Sequence, residues 1–337
     1  MESRNLPDGK LPTDLLRRLL SQLDVDDSRV VVSGAVGEDA AVIERDDNYL
    51  VLAADPVTFA ADRIGWYAVQ INANDIAAMG ATPQYFLSTI LLPSGSATEE
   101  FVEQVMLEIN RACRELGCLA VGGHTEVTAG IDRPIVSGAM VGEVDKAFLK
   151  TTSGAKEGEM IVLTQGIAIE ATAILARERR ESVREQFGDD FQEKAAGFLT
   201  APGISVVKAG TRAARIDGVS AMHDVTEGGV ATALWELAQA SKVGLIVLES
   251  EIPRFWESSQ LAKSFGFDLL GAVSSGALLM TVSEKNTKAV LDAMLEEDIP
   301  ANVIGRVTST QRGVKLRRGS EDIDLPLFTQ DELVRIG

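Results

Sequence analysis

Residues 72–80, Asn-Ala-Asn-Asp-Ile-Ala-Ala-Met-Gly, indicate most about how this chain folds. The apolar pattern from Ile64 to Met79 is helical, and Gly80 suits a left-handed C-terminal cap. On such a helix Asp75 shares one face with four apolar residues, Ala68, Ile71, Ala78 and Met79. A charge buried there is costly unless it is paired or binds a metal ion. An N-cap or an exposed charge stays an equal alternative.

The segments around this helix predict strands with helices between them. A short amphipathic helix is predicted over residues 13–23, followed by strands over 30–32, 40–43 and 49–54. Beyond Gly80, strands are predicted over 85–92, 118–121 and 135–143, and a helix over 98–116. The first half is therefore predicted to be α+β or α/β.

A second set of elements follows the stretch Lys146–Gly158, whose Gly, Ser, Thr and Lys residues are typical of a crossing between domains. The length of 337 residues also suggests two domains, predicted as 1–150 and 151–337. The second domain is predicted to contain helices over 169–177, 181–198, 230–240 and 285–296, and strands over 160–163, 219–222, 244–248, 277–283 and 302–307.

Charge and composition exclude several classes of function. The net charge of −18 repels nucleic acid and anionic membrane surfaces, so a phosphate ligand would need metal ions or backbone amides. Magnesium is the expected mediator. There is no long apolar run and the N-terminal residues are polar, which predicts a cytoplasmic protein. Cys113 and Cys118 are predicted to be buried thiols.

Two acidic positions in the first half could carry chemistry. The loop Ser33–Asp39 combines glycines with an acidic pair, which suits closure over metal-bound phosphates but is also common in plain turns. Asp55 ends an apolar strand, where a side chain can project into a cleft or simply form a turn. Both interpretations stay open for each position.

The segment Gly122–Glu126 follows a predicted strand and is expected to turn there. It would offer backbone amides, a hydroxyl, an imidazole and a carboxylate together. His124 could be a general base or a metal ligand, although a lone histidine is more often structural. In the second half, Asp224–Gly229 opens a helix, where carboxylates can also act only as caps.

Taken in order, these segments resemble the aminoimidazole-ribonucleotide (AIR) synthetase, or PurM-like, superfamily, nearest to its HypE-type hydrogenase expression/formation branch. The resemblance covers nearly the whole chain. It rests on five motifs, Gly37-Glu38-Asp39-Ala40-Ala41-Val42-Ile43, Ala54-Asp55-Pro56-Val57, Asn74-Asp75-Ile76-Ala77-Ala78-Met79-Gly80-Ala81, Gly122-Gly123-His124-Thr125-Glu126 and His223-Asp224-Val225-Thr226-Glu227-Gly228-Gly229-Val230.

The resemblance implies an ATP- and Mg²⁺-dependent enzyme with a mixed α/β, two-domain PurM-like fold. It implies a homodimer whose N-terminal sheets form a barrel, and a C-terminal α/β domain. The implied metal ligands are Asp39, Asp55, Asp75 and Glu126. The implied catalytic residues are Asp75, His124 and Asp224, and the implied ATP-binding residues are Gly37, Asn74, Gly122, Gly123, Thr125, Gly228 and Gly229. The substrate is expected to be a small molecule or a group borne on a partner protein.

Two departures from the family pattern affect the expected chemistry. His124 stands where many relatives carry Asp or Glu, so a metal contact there would be lost or moved to Glu126. The sequence finishes Leu333–Gly337 without the cysteine that hydrogenase-maturation relatives carry, so dehydration of a group on its own tail is not expected.

Several alternatives remain. A thiamine-monophosphate kinase would share the aspartate-rich site. An AIR synthetase-type ligase would be expected to have Gly-Thr-Lys after the strand aspartate, whereas Pro56–Phe59 follow Asp55 here. Selenophosphate synthesis is disfavoured, because it would require a reactive cysteine near an N-terminal glycine loop, and neither Cys113 nor Cys118 lies there. A nucleotide-binding protein without turnover is a further alternative, although the retained carboxylates argue against it.

Overall fold

The first half of the chain forms one sheet with helices against it. The computed structural model describes residue 6, residues 9–58 and residues 62–336, so most of the polar N-terminus, Phe59 and Gly337 lie outside the described residues. The elements of the first half are α1 (Thr13–Leu20), β1 (Val30–Val32), β2 (Ala41–Arg45), β3 (Asn48–Ala53), β4 (Pro56–Val57), α2 (Ile64–Ala78), β5 (Thr82–Pro93), α3 (Glu99–Leu116), β6 (Leu119–Thr128) and β7 (Ile135–Asp145).

The second half begins after a short 3₁₀ turn at Thr152–Gly154. Its elements are β8 (Met160–Thr164), α4 (Ile169–Glu178), α5 (Arg180–Phe187), α6 (Asp189–Ala196), α7 (Val207–Ala213), β9 (Val219–Asp224), α8 (Gly229–Ser241), β10 (Gly244–Leu248), α9 (Trp256–Phe265), β11 (Leu278–Val282), α10 (Thr287–Glu296), β12 (Ala301–Thr308), β13 (Val314–Arg318), β14 (Glu321–Asp324) and α11 (Glu332–Ile336).

Each half contains its own sheet in the described part of the chain. The first sheet has the order β1-β2-β3-β7-β5-β6, with β4 paired to β7. The strands pair antiparallel except β5 and β6, which are parallel and joined through α3. The second sheet has the order β14-β13-β10-β12-β8-β11-β9. The strand β9 therefore forms an edge, and its last two residues are His223 and Asp224.

The helix α2 lies between the two halves, and this explains why it is buried on nearly every side. All its residues except Ile71 are buried. It packs on the first sheet and against α7 and β9 of the second half. Gly210 of α7 lies so close to Ala77 that a Cβ atom there would meet the Ala77 carbonyl oxygen at 2.3 Å. A mixed α/β fold of two domains results, with α2 at their junction.

Several sequence predictions are confirmed. The predicted helix over 64–79 is α2, the predicted helix over 98–116 is α3, and Thr98 caps α3 by accepting a hydrogen bond from the Phe101 amide. Both cysteines are buried free thiols. No helix among the described residues is long and apolar enough to cross a membrane.

Two sequence predictions are wrong. Residues 122–126 do not turn, because β6 continues through them to Thr128. The single helix predicted over 181–198 is two helices, α5 and α6, which break at Gly188 with its φ of +88°. Elements without a clear sequence signal were not predicted at all, namely α7, α9, β13, β14 and α11.

Candidate active site

A cluster of aspartates lies at the junction of the two halves. Asp75 lies in the last turn of α2 and is only 5% exposed. Burial raises the pKa of Asp75 well above its usual value, and Asp55, Asp224 and Asp39 raise it further. These influences on Asp75 indicate that four aspartates lie close together, Asp39, Asp55 and Asp75 of the first half and Asp224 of the second.

His223 links two of the surrounding carboxylates. Its Nδ1 lies 2.5 Å from Asp39 Oδ1, and its Nε2 lies 3.0 Å from Glu236 Oε2 on α8. Burial alone would lower the pKa of His223, but the two carboxylates raise it well above its usual value. A protonated imidazole donating to both carboxylates is therefore the stable form, and it fixes the orientation of Asp39.

Two carboxylate oxygens of the cluster have no hydrogen-bond partner among the described residues. They are the buried Oδ2 atoms of Asp39 and Asp224. One potential ligand atom from each of Asp39, His223 and Asp224 lies within 4.8 Å of the others. Burial, followed by the nearby Asp39, raises the pKa of Asp224 to about 8. A buried, unpaired carboxylate of this kind gains strongly from a bound cation.

Lys10 brings an ammonium group to the edge of the cluster. Its Nζ lies 3.6 Å from Glu236 Oε1 and donates a hydrogen bond to the Thr226 hydroxyl at 3.3 Å. Burial works to lower the pKa of Lys10, but Glu236, Glu227 and the aspartates raise it overall. Lys10 and His223 also lower the pKa of Glu236 to about 2, against the effect of its burial.

The backbone around Asp55 is held by its neighbour Asn72. The Asn72 side chain accepts a hydrogen bond from the Asp55 amide and donates one to the Asp55 carbonyl, at 2.9 and 3.1 Å. Asn74, predicted to bind the cofactor, has its amide group engaged elsewhere. It donates to the Ile204 carbonyl and accepts from the Val206 amide, both at 2.8 Å, and so ties α2 to the second half.

The loop over residues 33–39 is anchored to the second half. The Glu38 carboxylate accepts hydrogen bonds from the backbone amides of Thr152 and Ser153, at 3.0 and 3.1 Å. Gly37 has a φ of +85°, and a Cβ atom there would come within 3.0 Å of the Glu236 carbonyl oxygen. These contacts fix Asp39 in the cluster, so Glu38 holds the loop in place.

The two glycines at the start of α8 are required by close packing. The Gly228 amide donates to Asp331 Oδ2 at 2.8 Å, so this amide already has a partner. A Cβ atom on Gly229 would come within 2.6 Å of the Leu270 carbonyl oxygen. Both glycines bring the start of α8 close to Asp224, and their predicted role in ATP binding is not tested by these contacts.

The segment Gly122–Glu126 lies away from the aspartates within one chain. Gly123 is paired with Ser88, Ser88 with Gly138, and the Gly138 amide donates to the Asp55 carbonyl. Three strand spacings, or roughly 14 Å, thus separate the backbones of Gly123 and Asp55. Gly123 is needed where it is, because a Cβ atom there would lie 1.9 Å from the Ser88 carbonyl oxygen.

The side chains of this segment are exposed at the sheet edge. His124 is 65% exposed, and its Nε2 lies 3.0 Å from Glu126 Oε2. This contact, followed by the hydrogen bond from Thr128, lowers the pKa of Glu126. Thr125, predicted to bind ATP, is also exposed. Within one chain, His124, Thr125 and Glu126 therefore do not join Asp39, Asp75 and Asp224.

Comparison with known sequences identifies the architecture. The sequence model of the AIR synthase related protein N-terminal domain matches residues 37–144, and that of the C-terminal domain matches residues 156–316. The chain belongs to the AIR synthase-related family. The predicted membership and the PurM-like two-domain fold are thereby confirmed.

Individual relatives of this AIR synthase-related chain are named for different functions. A putative hydrogenase expression/formation protein of Methanocaldococcus jannaschii is 28% identical over 95% of each chain. A thiamine-monophosphate kinase of Archaeoglobus fulgidus is 30% identical, over 69% of this chain and 73% of that protein. The solved structure of the hydrogenase maturation protein HypE in complex with ATP has a TM-score of 0.72 at 23% identity, and the match covers 94% and 91% of the two chains.

Four residues of this AIR synthase-related chain have no predicted role, and three of them, His223, Glu236 and Lys10, lie around the aspartates. His223 was part of a recognised motif but was given no role, although it directly precedes Asp224 on a buried strand. Glu236 and Lys10 carry no local signal, since only the tertiary fold brings them to the cluster. Glu170 did carry one, because it is an isolated acid in the apolar run Ile167–Ile174.

Proposed function

We propose that this chain is a Mg²⁺-dependent enzyme that binds ATP over the aspartate cluster and transfers its terminal phosphoryl group to an acceptor. The observation that carries this proposal is the meeting of Asp39, Asp75 and Asp224 at the domain junction, where two buried carboxylate oxygens have no hydrogen-bond partner in the described part of the chain. The ATP complex of the related fold of HypE adds support.

The residues of the cluster fit magnesium. Mg²⁺ prefers oxygen ligands and is usually held by one or two carboxylates together with substrate phosphates. The Oδ2 atoms of Asp39 and Asp224, which have no hydrogen-bond partner among the described residues, provide such a donor set together with the carboxylates of Asp55 and Asp75. His223 is better suited to holding Asp39 than to binding the metal, since both its nitrogens face carboxylates. Bound magnesium would neutralise the phosphate charge as it develops in phosphoryl transfer.

The protein's own groups would bind and orient the nucleotide. His223 and Glu38 keep Asp39 in place from two sides, one through its side chain and the other through its loop. Lys10 provides an ammonium group beside Glu236 that would attract a phosphate oxygen. Most of the rate enhancement would then come from position and charge, as is general for phosphoryl transfer.

The remaining candidate reactions differ in the group that accepts the phosphoryl group. Similarity to proteins named carbamoyl dehydratase favours activation of an amide-type oxygen. The thiamine-monophosphate kinase match keeps direct phosphorylation of a small phosphate-bearing substrate as a second candidate. An AIR synthetase-type ligation and nucleotide binding without turnover are weaker candidates.

We also propose a homodimer that forms at the β6 edge. Every residue from Leu119 to Val127 is exposed, including Leu119, Val121 and Val127, each more than half exposed. An apolar edge strand with free backbone groups favours pairing with another copy. Such pairing could bring Gly122, Gly123 and Thr125 of one protomer toward a nucleotide, and Glu126 toward its metal ion, which are the roles predicted for them.

The test is ATP hydrolysis by the purified protein as Mg²⁺ is varied and EDTA is added. Turnover should require Mg²⁺, and it should increase when the correct acceptor is supplied. Asp292→Asn is the control for Asp→Asn substitutions in the aspartate cluster. Asp292 is an exposed residue of α10, and its one ion-pair partner in the described chain is Lys288. ATP turnover that is unchanged by EDTA would contradict the proposal.

A further inference from the structure

The C-terminal end of α3 brings together the only two cysteines of the sequence. The Cys118 amide donates a hydrogen bond to the Cys113 carbonyl at 2.9 Å. The Gly117 amide donates one to the Arg114 carbonyl at 3.3 Å, and Gly117 itself has a left-handed φ of +73°. These bonds around a left-handed glycine define a Schellman motif, in which the side chains at the positions of Cys113 and Cys118 commonly contact each other.

The backbone separation of the two cysteines suits a disulfide bond. The 2.9 Å hydrogen bond and standard bond lengths place the Cα atoms of Cys113 and Cys118 within ~6.8 Å of each other. Disulfides usually join Cα atoms that lie ~4.4–6.8 Å apart. Both residues are buried, 2% and 3% exposed, and both belong to the apolar core of the first half. Closure of a disulfide here therefore needs little movement of the backbone.

The two thiols are not chemically equivalent. A hydrogen bond with the Cys113 thiol lowers the pKa of Cys118, while burial works to raise it. The contact with Cys118, followed by burial, raises the pKa of Cys113. Because the thiolate is the nucleophile in cysteine chemistry, Cys118 is the thiol that attacks first and Cys113 is the one that follows.

The end of the helix lies at the protein surface, although both thiols are covered. Arg114 and Gly117, which lie between the two cysteines, are exposed, and so is Leu119 next to Cys118. The last turn of a helix frays more readily than its interior. A small oxidant can therefore reach the thiols without unfolding of the first half. Pairing between two chains would require a thiol to leave the core, so closure within one chain is favoured.

We infer that Cys113 and Cys118 form a reversible redox site, which a peroxide closes to an intrachain disulfide and a thiol reductant reopens. The Cys118 thiolate attacks a peroxide oxygen, so that an S–O bond forms, the O–O bond breaks and the departing oxygen leaves as water after taking up a proton. The Cys113 sulfur then displaces the hydroxyl of this sulfenic acid as a second water, and the S–S bond forms. Two thiols are oxidised by two electrons in all, and one hydrogen peroxide is reduced to two water molecules.

The disulfide would tie the end of α3 to the start of β6. Cys118 directly precedes Leu119, the first residue of β6. Closure would therefore restrain the first residues of the edge at which the dimer is proposed to form. The inference does not depend on the proposed ATP chemistry, because no residue of the aspartate cluster takes part in it.

The first experiment treats the reduced full chain with hydrogen peroxide under native conditions and then blocks free thiols with N-ethylmaleimide in urea. Trypsin cuts after Arg114, between the cysteines, so a disulfide joins peptides 112–114 and 115–146, which otherwise separate. We expect this linked pair, a mass loss of about 2 Da, and recovery of both thiols with dithiothreitol. Two blocked thiols after peroxide treatment, or cysteines oxidised to sulfinic acid, would overturn the redox site.

Single cysteine variants test the order of attack. In Cys113→Ala, peroxide should convert Cys118 to a sulfenic acid that dimedone traps. In Cys118→Ala, trapping at Cys113 should be slower by about tenfold or more, because a thiol of raised pKa forms less thiolate. A cooperative thermal transition of each variant shows that it is folded. Equal trapping rates in the two folded variants would contradict the assigned roles.

A third experiment asks whether the fold itself favours the disulfide. The folded chain and the chain unfolded in urea are each equilibrated in glutathione buffers, and their disulfide fractions are compared. The Schellman motif holds the thiols together, so the equilibrium constant for closure should be at least about tenfold larger in the folded chain. An equal or smaller constant would overturn the inference. None of these measurements uses ATP turnover, so failure of the proposed function would leave their outcomes unchanged.

Discussion

The two histidines of this chain occupy opposite environments. His223 and His124 each lie 3.0 Å or less from a carboxylate, but the side chain of His223 is 5% exposed and that of His124 is 65% exposed. The region around His223 is enclosed by both halves and holds more carboxylates than cations. The region around His124 is an open strand edge. The carboxylates around His223 therefore still require positive charge, and the strand edge around His124 still requires a packing partner.

The largest expected effect is on activity in the enclosed region. Asp75→Asn, and separately Asp55→Asn, should reduce ATP turnover by about 10²–10³-fold, because each removes a charge that holds magnesium. The thermal stability of Asp75→Asn without Mg²⁺ should equal or exceed that of the parent, because repulsion is relieved. Steady-state kinetics and thermal unfolding measure both effects. Parental turnover by either variant would remove that residue from the metal site.

The next effect compares the two histidines directly. His223→Asn should lower the free energy of unfolding by about 3 kcal/mol, because Asp39 and Glu236 lose their buried cationic partner. His124→Asn should change it by less than about 0.5 kcal/mol, since an exposed pair contributes little. Urea unfolding of both variants makes the comparison. Similar losses for the two would show that burial does not distinguish these regions.

The pH dependence should differ between the metal-free and metal-bound protein. The fold raises the pKa values of Asp75, Asp39 and Asp224, that of Asp224 to about 8. The folded protein therefore favours their neutral forms, and the stability that this gives at low pH is lost as the pH rises from about 4 to 8. His223 acts in the same direction, because its raised pKa gives stability that is complete below about 6.5 and lost at higher pH.

Without metal, the melting temperature should therefore fall by about 5 °C between pH 6 and pH 8.5. Added Mg²⁺ should raise it more at pH 8.5 than at pH 6, since the metal binds the deprotonated carboxylates. Glu236 does not disturb this comparison, because its lowered pKa affects stability only at much lower pH. Differential scanning calorimetry provides the values, and an equal Mg²⁺ effect at both pH values would contradict the assignment.

The smallest effect on stability is expected at the open strand edge. Val121→Lys should leave unfolding of the protomer within about 0.5 kcal/mol of the parent, but it should disrupt the proposed dimer. Sedimentation of the parent should give about twice the 36.0 kDa chain mass, and the variant should give one chain mass. Leu295→Lys is the control, because Leu295 is even more exposed than Val121, 71% against 53%, but lies on α10. A monomeric parent at micromolar concentration would refute the dimer.

The sequence predicted the buried region better than the open one, for a physical reason. Helical periodicity places Asp75 on an apolar face of its helix, so the sequence offered its burial as one of two alternatives, and the structure shows the residue buried. The strand β6 was predicted to stop at Gly122 because glycines normally end strands, yet Gly123 is there to let β5 approach closely. The partners Lys10 and Glu236 could not be predicted, because they are distant in sequence and meet the cluster only in the folded chain.

The most direct test of the central claim is the position of the metal. Crystals grown with Mn²⁺ in place of Mg²⁺ and with a non-hydrolysable ATP analogue allow the ion to be located from its anomalous scattering. We predict a peak about 2.2 Å from carboxylate oxygens of Asp75 and of Asp39 or Asp224, with the phosphates of the nucleotide beside it. Bound nucleotide with no metal peak at any of these three aspartates would contradict the account.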